Sequence, residues 1–294
     1  MRKLLAVLLL LTMLVPAALA EETVSYEPLP TDLTTIPHKA DPALFTESGY
    51  EDATLSVTME RIWVDDARYN VARVKIAHPS QLRTGLASVN AKRTNKVSAI
   101  SRNHNVVVAI GGDYFSKDSY GYVVRMGEVF RKKPIKQRDM LLIDEGGDFH
   151  ILKNSDSEQL QALLTGEVAM PNVFNFGPAL VIDGVLQEMP KDYKYNIDGN
   201  EPRCAIGQVG PLEYLLVVVD GRDAADSKGA TCKELAQFMF DQGCLQAYNL
   251  DGGNSALMYF GGANFSQKSE KAERSVSDII YFSTLIDYGL DAEE

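Results

Sequence analysis

The chain is poor in histidine, tryptophan and cysteine: 294 residues include 4 His, 1 Trp and 3 Cys. His38, His78, His104 and His150 all precede the most regular part of the sequence, its last hundred or so residues. Their placement leaves little room for histidine-based acid–base chemistry there. Neither a C-x-x-C pair nor a Cys/His cluster occurs, which argues against a structural zinc site. A P-loop, a dinucleotide fingerprint and a zinc-protease motif are also missing. Gly253-Asn254-Ser255-Ala256-Leu257 lacks the second glycine of a nucleophile elbow, so Ser255 has no support as a hydrolase nucleophile. The three cysteines are an odd count. Cys232 and Cys244 are twelve positions apart across an expected helix, about 18 Å if it ran unbroken and too far for a disulfide. Small buried thiols are the expectation, with a bridge through Cys204 left open.

Long apolar runs are confined to the beginning. Arg2 and Lys3 precede the apolar stretch Leu4 to Val15, and Ala18-Leu19-Ala20 supplies small residues suited to signal cleavage. Residues 1–20 therefore read as a secretory signal cut after Ala20, with no cysteine next to the cut to carry a lipid. The mature chain is expected to be secreted or extracytoplasmic and to have no transmembrane segment. Without Arg2 and Lys3, 27 basic residues remain against 40 acidic ones, a net charge of −13. Such a field disfavours nucleic acid and anionic membranes as general partners, although local arginines can still bind an anionic substrate. Oligomeric state is not legible.

Pro28, Pro30, Pro37 and Pro42 punctuate residues 21–50, which read as an N-terminal arm or tether. From there to about residue 288 one domain is expected. Period-two stretches such as Tyr69 to Ala77 read as strands. Thr94 to His104 reads as a helix leading into the buried strand VVVAI, and Ser157 to Leu164 as a short helix. Leu215 to Val219 is a wholly apolar strand ending at Asp220-Gly221-Arg222. Thr231 and Glu234 form a capping box for a helix with Leu235, Phe238 and Met239 on its buried stripe, closed by Gly243. Leu245 to Leu250 then delivers Asp251. The expected fold class is α+β, a mixed β-sheet core with few helices, including a C-terminal strand-helix-strand crossover unit. In such a unit Asp220 and Asp251 would both lie past the carboxyl ends of neighbouring parallel strands, where such sheets place ligands.

Four Asp-Gly pairs occur, at 183–184, 198–199, 220–221 and 251–252. The first two sit between strands or in a polar loop and read as turns. The other two stand at strand ends among glycines and arginines, and the distinction matters. Asp113, Arg203, Asp220, Arg222, Asp251, Asn254, Ser255 and Arg274 together suggest a site for an anionic, hydroxyl-rich ligand. Arginine forks hold phosphate or carboxylate, and Gly252 and Gly253 let a ligand approach the backbone. Tyr193 and Tyr195 could stack on a sugar, but a packed loop is the plainer reading.

Five segments occur in an order similar to that of a known family: VVVAIGGDYF, FNFGPALVIDG, EPRCAIG followed by LLVVVDGR, AYNLDGGNSALMYF, and ERSVS. The chain resembles the phosphodiester glycosidases over roughly residues 53–285; the namesake of that family removes N-acetylglucosamine from a phosphodiester link to mannose. Gly111, Cys204 and Asn254 depart from the usual Asn, Thr and Gly, and Ser275 and Asp278 from a common Pro and Asn. The resemblance implies a 51–288 glycosidase-like domain that hydrolyses the glycosidic bond of a sugar-1-phosphodiester in glycans or envelope material. It also implies catalytic Asp251 with Asp220 as second carboxylate. Substrate and phosphate would be held by Arg203, Arg222, Arg274, Gly252, Gly253, Asn254, Ser255 and Asp113. Neither metal nor other cofactor is expected. Two alternatives stand beside this reading: a non-catalytic carbohydrate- or envelope-binding protein on the same fold, and an exopolysaccharide-assembly factor.

Overall fold

The computed structural model describes residues 26–88, 90–117, 121–133, 135, 137–155, 157–222, 224–267 and 273–290, so the expected signal segment 1–20 lies outside the described residues. The fold is α+β, with three α-helices among the described residues: α1 (Val97–Arg102), α2 (Ser157–Thr165) and α3 (Cys232–Asp241). The sheets are antiparallel rather than mixed. A large sheet of nine strands runs Phe45–Thr46, Gly49–Glu51, Leu55–Val64, Ala67–Ile76, Glu213–Val219, Arg203–Gly210, Gln246–Asn249, Ala179–Ile182 and Val185–Leu186. A middle sheet of five strands orders Phe149–Leu152, Met140–Ile143, Asn172–Phe174, Gly121–Arg125 and Glu128–Lys133. A third sheet, also of five, orders Ala263–Asn264, Met258–Phe260, Val108–Gly111, Asp278–Phe282 and Leu82–Leu86.

Strand alternation sorts the side chains into layers. Along Glu213–Val219, Tyr214, Leu216 and Val218 enter the core between the large sheet and the two smaller ones. Leu215, Val217 and Val219 pack on the opposite face with α3 residues Leu235, Phe238 and Met239. Both faces are covered, which is why this strand is apolar at nearly every position. Each such side chain contributes about 1.5–3 kcal/mol when fully buried. On the outer faces, α1 covers the third sheet through Val97 and Ile100, and α2 covers the middle sheet through Leu160.

The capping box forms as expected. Thr231 Oγ1 accepts from Glu234 N at 3.1 Å, and the Glu234 carboxylate accepts from Thr231 N at 2.7 Å. Asp183 (φ 49°) and Gly184 (φ 72°) make the two-residue turn between Ala179–Ile182 and Val185–Leu186. The crossover unit needs correction. Glu213–Val219 and Gln246–Asn249 are parallel to each other but are not neighbours, because Arg203–Gly210 lies between them, antiparallel to both. All three cysteines are buried free thiols.

The described part of the N-terminal arm is not a tether. Phe45–Thr46 pairs with Gly49–Glu51, which in turn extends the large sheet. Upstream, the buried guanidinium of Arg83 holds the chain by donating to Pro30 O at 2.9 Å and Asp32 O at 2.9 Å. Proline spacing and polarity hid this, because the anchor sits on a strand some fifty residues away. Arg83→Met should lower stability by about 2–4 kcal/mol through loss of charged hydrogen bonds and carbonyls left unpaired. It should also open residues 26–50 to protease below the global unfolding temperature. An arm that stays as protected as in the parent would show that Arg83 does not hold it.

Candidate active site

Three chain crossings between sheets meet at one place. The chain leaves the third sheet after Val108–Gly111 and next enters a described strand at Gly121–Arg125 of the middle sheet. From the middle sheet, Asn175 to Pro178 lead into the large sheet at Ala179–Ile182. From the large sheet, Leu250 to Leu257 return to the third sheet at Met258–Phe260. Hydrogen bonds tie the crossings together. Asp251 N donates to Gly112 O at 3.1 Å, Asn249 N to Pro178 O at 3.1 Å, and Asn249 Nδ2 to Gly177 O at 2.8 Å. Asn175 N donates to Asp113 Oδ2 at 3.3 Å.

A buried ion network sits beneath this junction. Arg125, wholly buried in the middle sheet, lies 2.6 Å from Asp278 Oδ2 and 3.0 Å from Asp113 Oδ1. The second contact is angled away from a good hydrogen bond and acts as an ion pair. Asp278 Oδ1 accepts from Asp113 N at 3.1 Å, and Asp113 Oδ1 from Phe115 N at 3.2 Å. A Cβ on Gly112 would collide with the Asp278 carboxylate, so glycine is required there. The sequence marks Asp278 only as a departure from a common Asn, and it does not single out Arg125. Their signal is a charge at the end of an apolar strand, in GYVVRM and SDIIYF, since a buried ion there must be paired.

Asp251 stands above this network. Its loop reaches close to the backbone at Pro202, where a Cβ on Gly252 would lie 2.7 Å from the carbonyl oxygen. The residue keeps part of its surface open, although its carboxyl group is packed around on most sides. Burial pushes that carboxyl up to about 7; Ser255 and Arg274 draw it down, and the charge of Asp113 pushes it further up. Ser255 is thus a near neighbour, yet its buried Oγ has no partner of good hydrogen-bond geometry among the described residues. Arg274 is exposed, donates to Tyr114 Oη at 2.9 Å and lies 5.3 Å over the Tyr114 ring. Beside Asp113 lies a crevice of only about 10 Å³, lined by Asp113, Tyr114, Arg138, Asn175 and Phe176. A roomier groove of 440 Å³, walled by Pro42, Phe45, Arg102 and Tyr259, lies away from them and contains no carboxylate.

The structure separates the expected residues into two groups. Asp251, Asp113, Arg274, Ser255, Gly252 and Gly253 gather at the junction. Arg222 braces its rim, pairing with Glu201 at 2.8 Å and donating to Asn254 Oδ1. Asp220 is buried and saturated: Oδ2 accepts from Arg68 at 2.7 Å and Asn70 at 2.9 Å, and Oδ1 from Gln267 N at 2.9 Å. It is a structural anchor rather than a second catalytic carboxylate. Arg203 faces α3. It donates to Ala230 O at 2.8 Å and Gly199 O at 2.7 Å, while its neighbour Cys204, by strand alternation, points to the junction 3.5 Å from Gly111 O. Tyr193 and Tyr195 are packed, the first donating to Phe176 O at 2.6 Å and the second stacked on the Phe176 ring at 4.3 Å.

The chain belongs to the phosphodiester glycosidase family, whose model matches residues 104–283. In fold it is similar to the catalytic domain of zebrafish N-acetylglucosamine-1-phosphodiester alpha-N-acetylglucosaminidase, a structure auto-inhibited by its pro-peptide. The TM-score is 0.62 at 19% identity, covering 85% of this chain and 87% of that one. A hypothetical protein from Synechocystis is similar at TM-score 0.56 and 14% identity, over 78% of this chain and 62% of that one. Among curated proteins, the SPbeta prophage-derived uncharacterized protein YomE of Bacillus subtilis (strain 168) is 31% identical over 112 residues, 38% of this chain. That match spans only 17% of YomE.

Two measurements test the electrostatics. Arg125→Met should cost about 3–5 kcal/mol, because it leaves buried carboxylates without their cation. A urea midpoint equal to that of the parent would show that the network carries no such weight. The second concerns Asp251, whose folded pKa of about 7 lies above its ordinary 3.8. The folded state then holds a proton that the unfolded chain releases, so stability falls as pH rises from about 4 to about 7. Asp251→Asn removes the penalty and should be more stable than the parent at pH 8, by about 2 kcal/mol once the partial exposure is allowed for. At pH 4 the two should unfold alike. A gap that does not vary with pH would contradict the raised pKa.

Proposed function

We propose that the protein is a secreted glycosidase that hydrolyses the bond between an anomeric carbon and the phosphate of a sugar-1-phosphodiester. One observation carries the reading: at the junction of the three sheets the largely enclosed Asp251 carboxyl, pushed up by burial, feels both the cationic Arg274 and the charge of Asp113. The zebrafish relative's name supplies a starting substrate class, an N-acetylglucosamine-1-phosphodiester with the alpha configuration. The basic head and apolar run at residues 2–15 support export.

A phosphodiester leaves as a weakly basic phosphate, so it needs little help from an acid. The demanding tasks are to deprotonate the attacking water and to stabilise positive charge at the anomeric carbon. Ionised Asp251 takes the proton from water as the water oxygen bonds to the anomeric carbon. The carbon–oxygen bond to phosphate breaks, and the electron pair leaves with the phosphate. Arg274 neutralises that departing charge. Asp113, held by Arg125, supplies a fixed negative charge near the developing oxocarbenium ion. Ser255, whose buried hydroxyl lies beside the Asp251 carboxyl, positions that carboxyl for the sugar.

With Asp251 as base, kcat/KM on methyl N-acetyl-α-glucosamine-1-phosphate should rise about tenfold per pH unit below 7 and level off above it. Asp251→Asn should lower kcat by at least about 10³-fold, with folding retained. Near-parental turnover by that variant, or a rate that falls as pH rises through 7, would remove Asp251 from this role.

A further inference from the structure

Four cations line one side of the junction. Arg274 is held at Tyr114, and the 3-10 turn Phe115–Lys117 that follows ends in exposed Lys117. Ser116 fixes this turn to the third sheet through Ser277, with Oγ to Oγ at 2.7 Å. On its other flank, Arg131 donates to Phe115 O at 3.1 Å and reaches to within 3.9 Å of a Cβ position on Gly121, beside Asn175. Lys133 pairs in register with Gly121, just as Arg131 pairs with Val123. Paired residues share a face, so Arg131 and Lys133 lie on the cleft side, about 6.8 Å apart along the strand. Lys132, paired with Tyr122, faces away.

Among the described residues, Asp251 faces Arg274, and the other acids near Lys117, Lys133 and Arg274 are engaged elsewhere. Glu273 is occupied by Ser98, accepting from its N at 2.8 Å and its Oγ at 2.7 Å. Asp113 and Asp278 share Arg125, and Glu128 lies at the far end of its strand. Lys117, Lys133 and Arg274 form no salt bridge with a described residue. Among the described residues, this gathers cations on one flank of a chain whose net charge is −11. In the hydrolytic reading, one phosphate meets Arg274. The cations beyond it are in excess of what a single diester needs.

Resting on the hydrolytic reading above, we propose that the substrate is a polyanion: a chain of sugars joined through anomeric phosphodiesters. One linkage lies at Asp251, and successive phosphates follow Lys117 and Lys133. Such a row releases counterions on binding, so its contribution is large at low salt and fades as salt rises.

The probes are synthetic N-acetyl-α-glucosamine-1-phosphate oligomers of one, four and eight repeats, with the single-repeat methyl diester as reference. At 50 mM salt, kcat/KM should climb at least tenfold from one repeat to four, and the gain should shrink severalfold at 500 mM. Lys117→Glu/Lys133→Glu should abolish the gain while leaving single-repeat turnover within twofold. Single-repeat cleavage with no gain from length, or a gain the double variant keeps, overturns the inference while leaving the hydrolytic function standing. The cationic strand would then serve only to protect a sheet edge. If no oligomer is cleaved, the hydrolytic reading fails instead, and fluorescence anisotropy of a labelled octamer decides the inference alone. At least tenfold weaker binding by the double variant upholds the row; equal binding overturns it. Equal affinity for heparin of the same charge overturns the assignment to sugar phosphates.

Discussion

The site depends on one buried cation. Arg125 is the charge that permits Asp113 and Asp278 to sit together in the interior, and those carboxylates fix the ends of two sheets. Two carboxylates around one guanidinium leave the network short of a positive charge. Backbone N–H groups make up part of the difference, those of Phe115 and Asn175 donating to Asp113 and that of Asp113 donating to Asp278. A further carboxyl brought up to this cluster meets a negative neighbour in a low-dielectric setting, so it holds its proton more tightly. The proton affinity of Asp251 therefore follows from the pairing beneath it as well as from its own burial.

The same network explains why the site lies at a junction and not on one sheet. Each smaller sheet could pack on the large one through apolar contacts alone, and the shared core shows that they do. Apolar packing is non-directional. It does not determine where three crossing segments should meet to within an ångström. Directional bonds among Gly112, Asp113, Asn175, Gly177, Pro178, Asn249 and Asp251 do that. A carboxylate held this way can meet substrate with little reorganisation, which is what electrostatic catalysis requires.

Much of this was legible from local signals. Thr231 and Glu234 predicted a helix start three residues apart, and Asp183-Gly184 a hairpin turn, because both features are closed within a few residues. The loop carrying Asp251 was recognisable from its glycines and its place after a strand. What was not legible depends on distant partners. Arg125 and Asp278 are 153 positions apart, and Arg83 meets Asp32 from 51 away. The insertion of Arg203–Gly210 between two parallel strands is a long-range pairing, and no local pattern encodes it. Alternation required Arg203 and Cys204 to face opposite sides, but only the assembled sheet shows which side holds the site.

Asp220 and Asp251 show how such cases separate. Both end a strand, both precede glycine, and the strands that deliver them run in the same direction. Their difference lies in what the fold does with their oxygens. Asp220 receives Arg68, Asn70 and a backbone N–H, so its charge is spent on holding neighbouring strands together. The partly open Asp251 has a largely enclosed carboxyl without a comparable set of donors among the described residues, and the exposed Arg274 acts on it through its charge. A carboxylate saturated by the protein has little affinity left for a proton or a developing cation. One left under-satisfied in a desolvated setting is destabilising in the resting state and reactive when substrate arrives, a pattern found where stability has yielded to function. Strand-end position brought both residues forward as candidates, and the donor count is what supports the proposed role of Asp251 over Asp220.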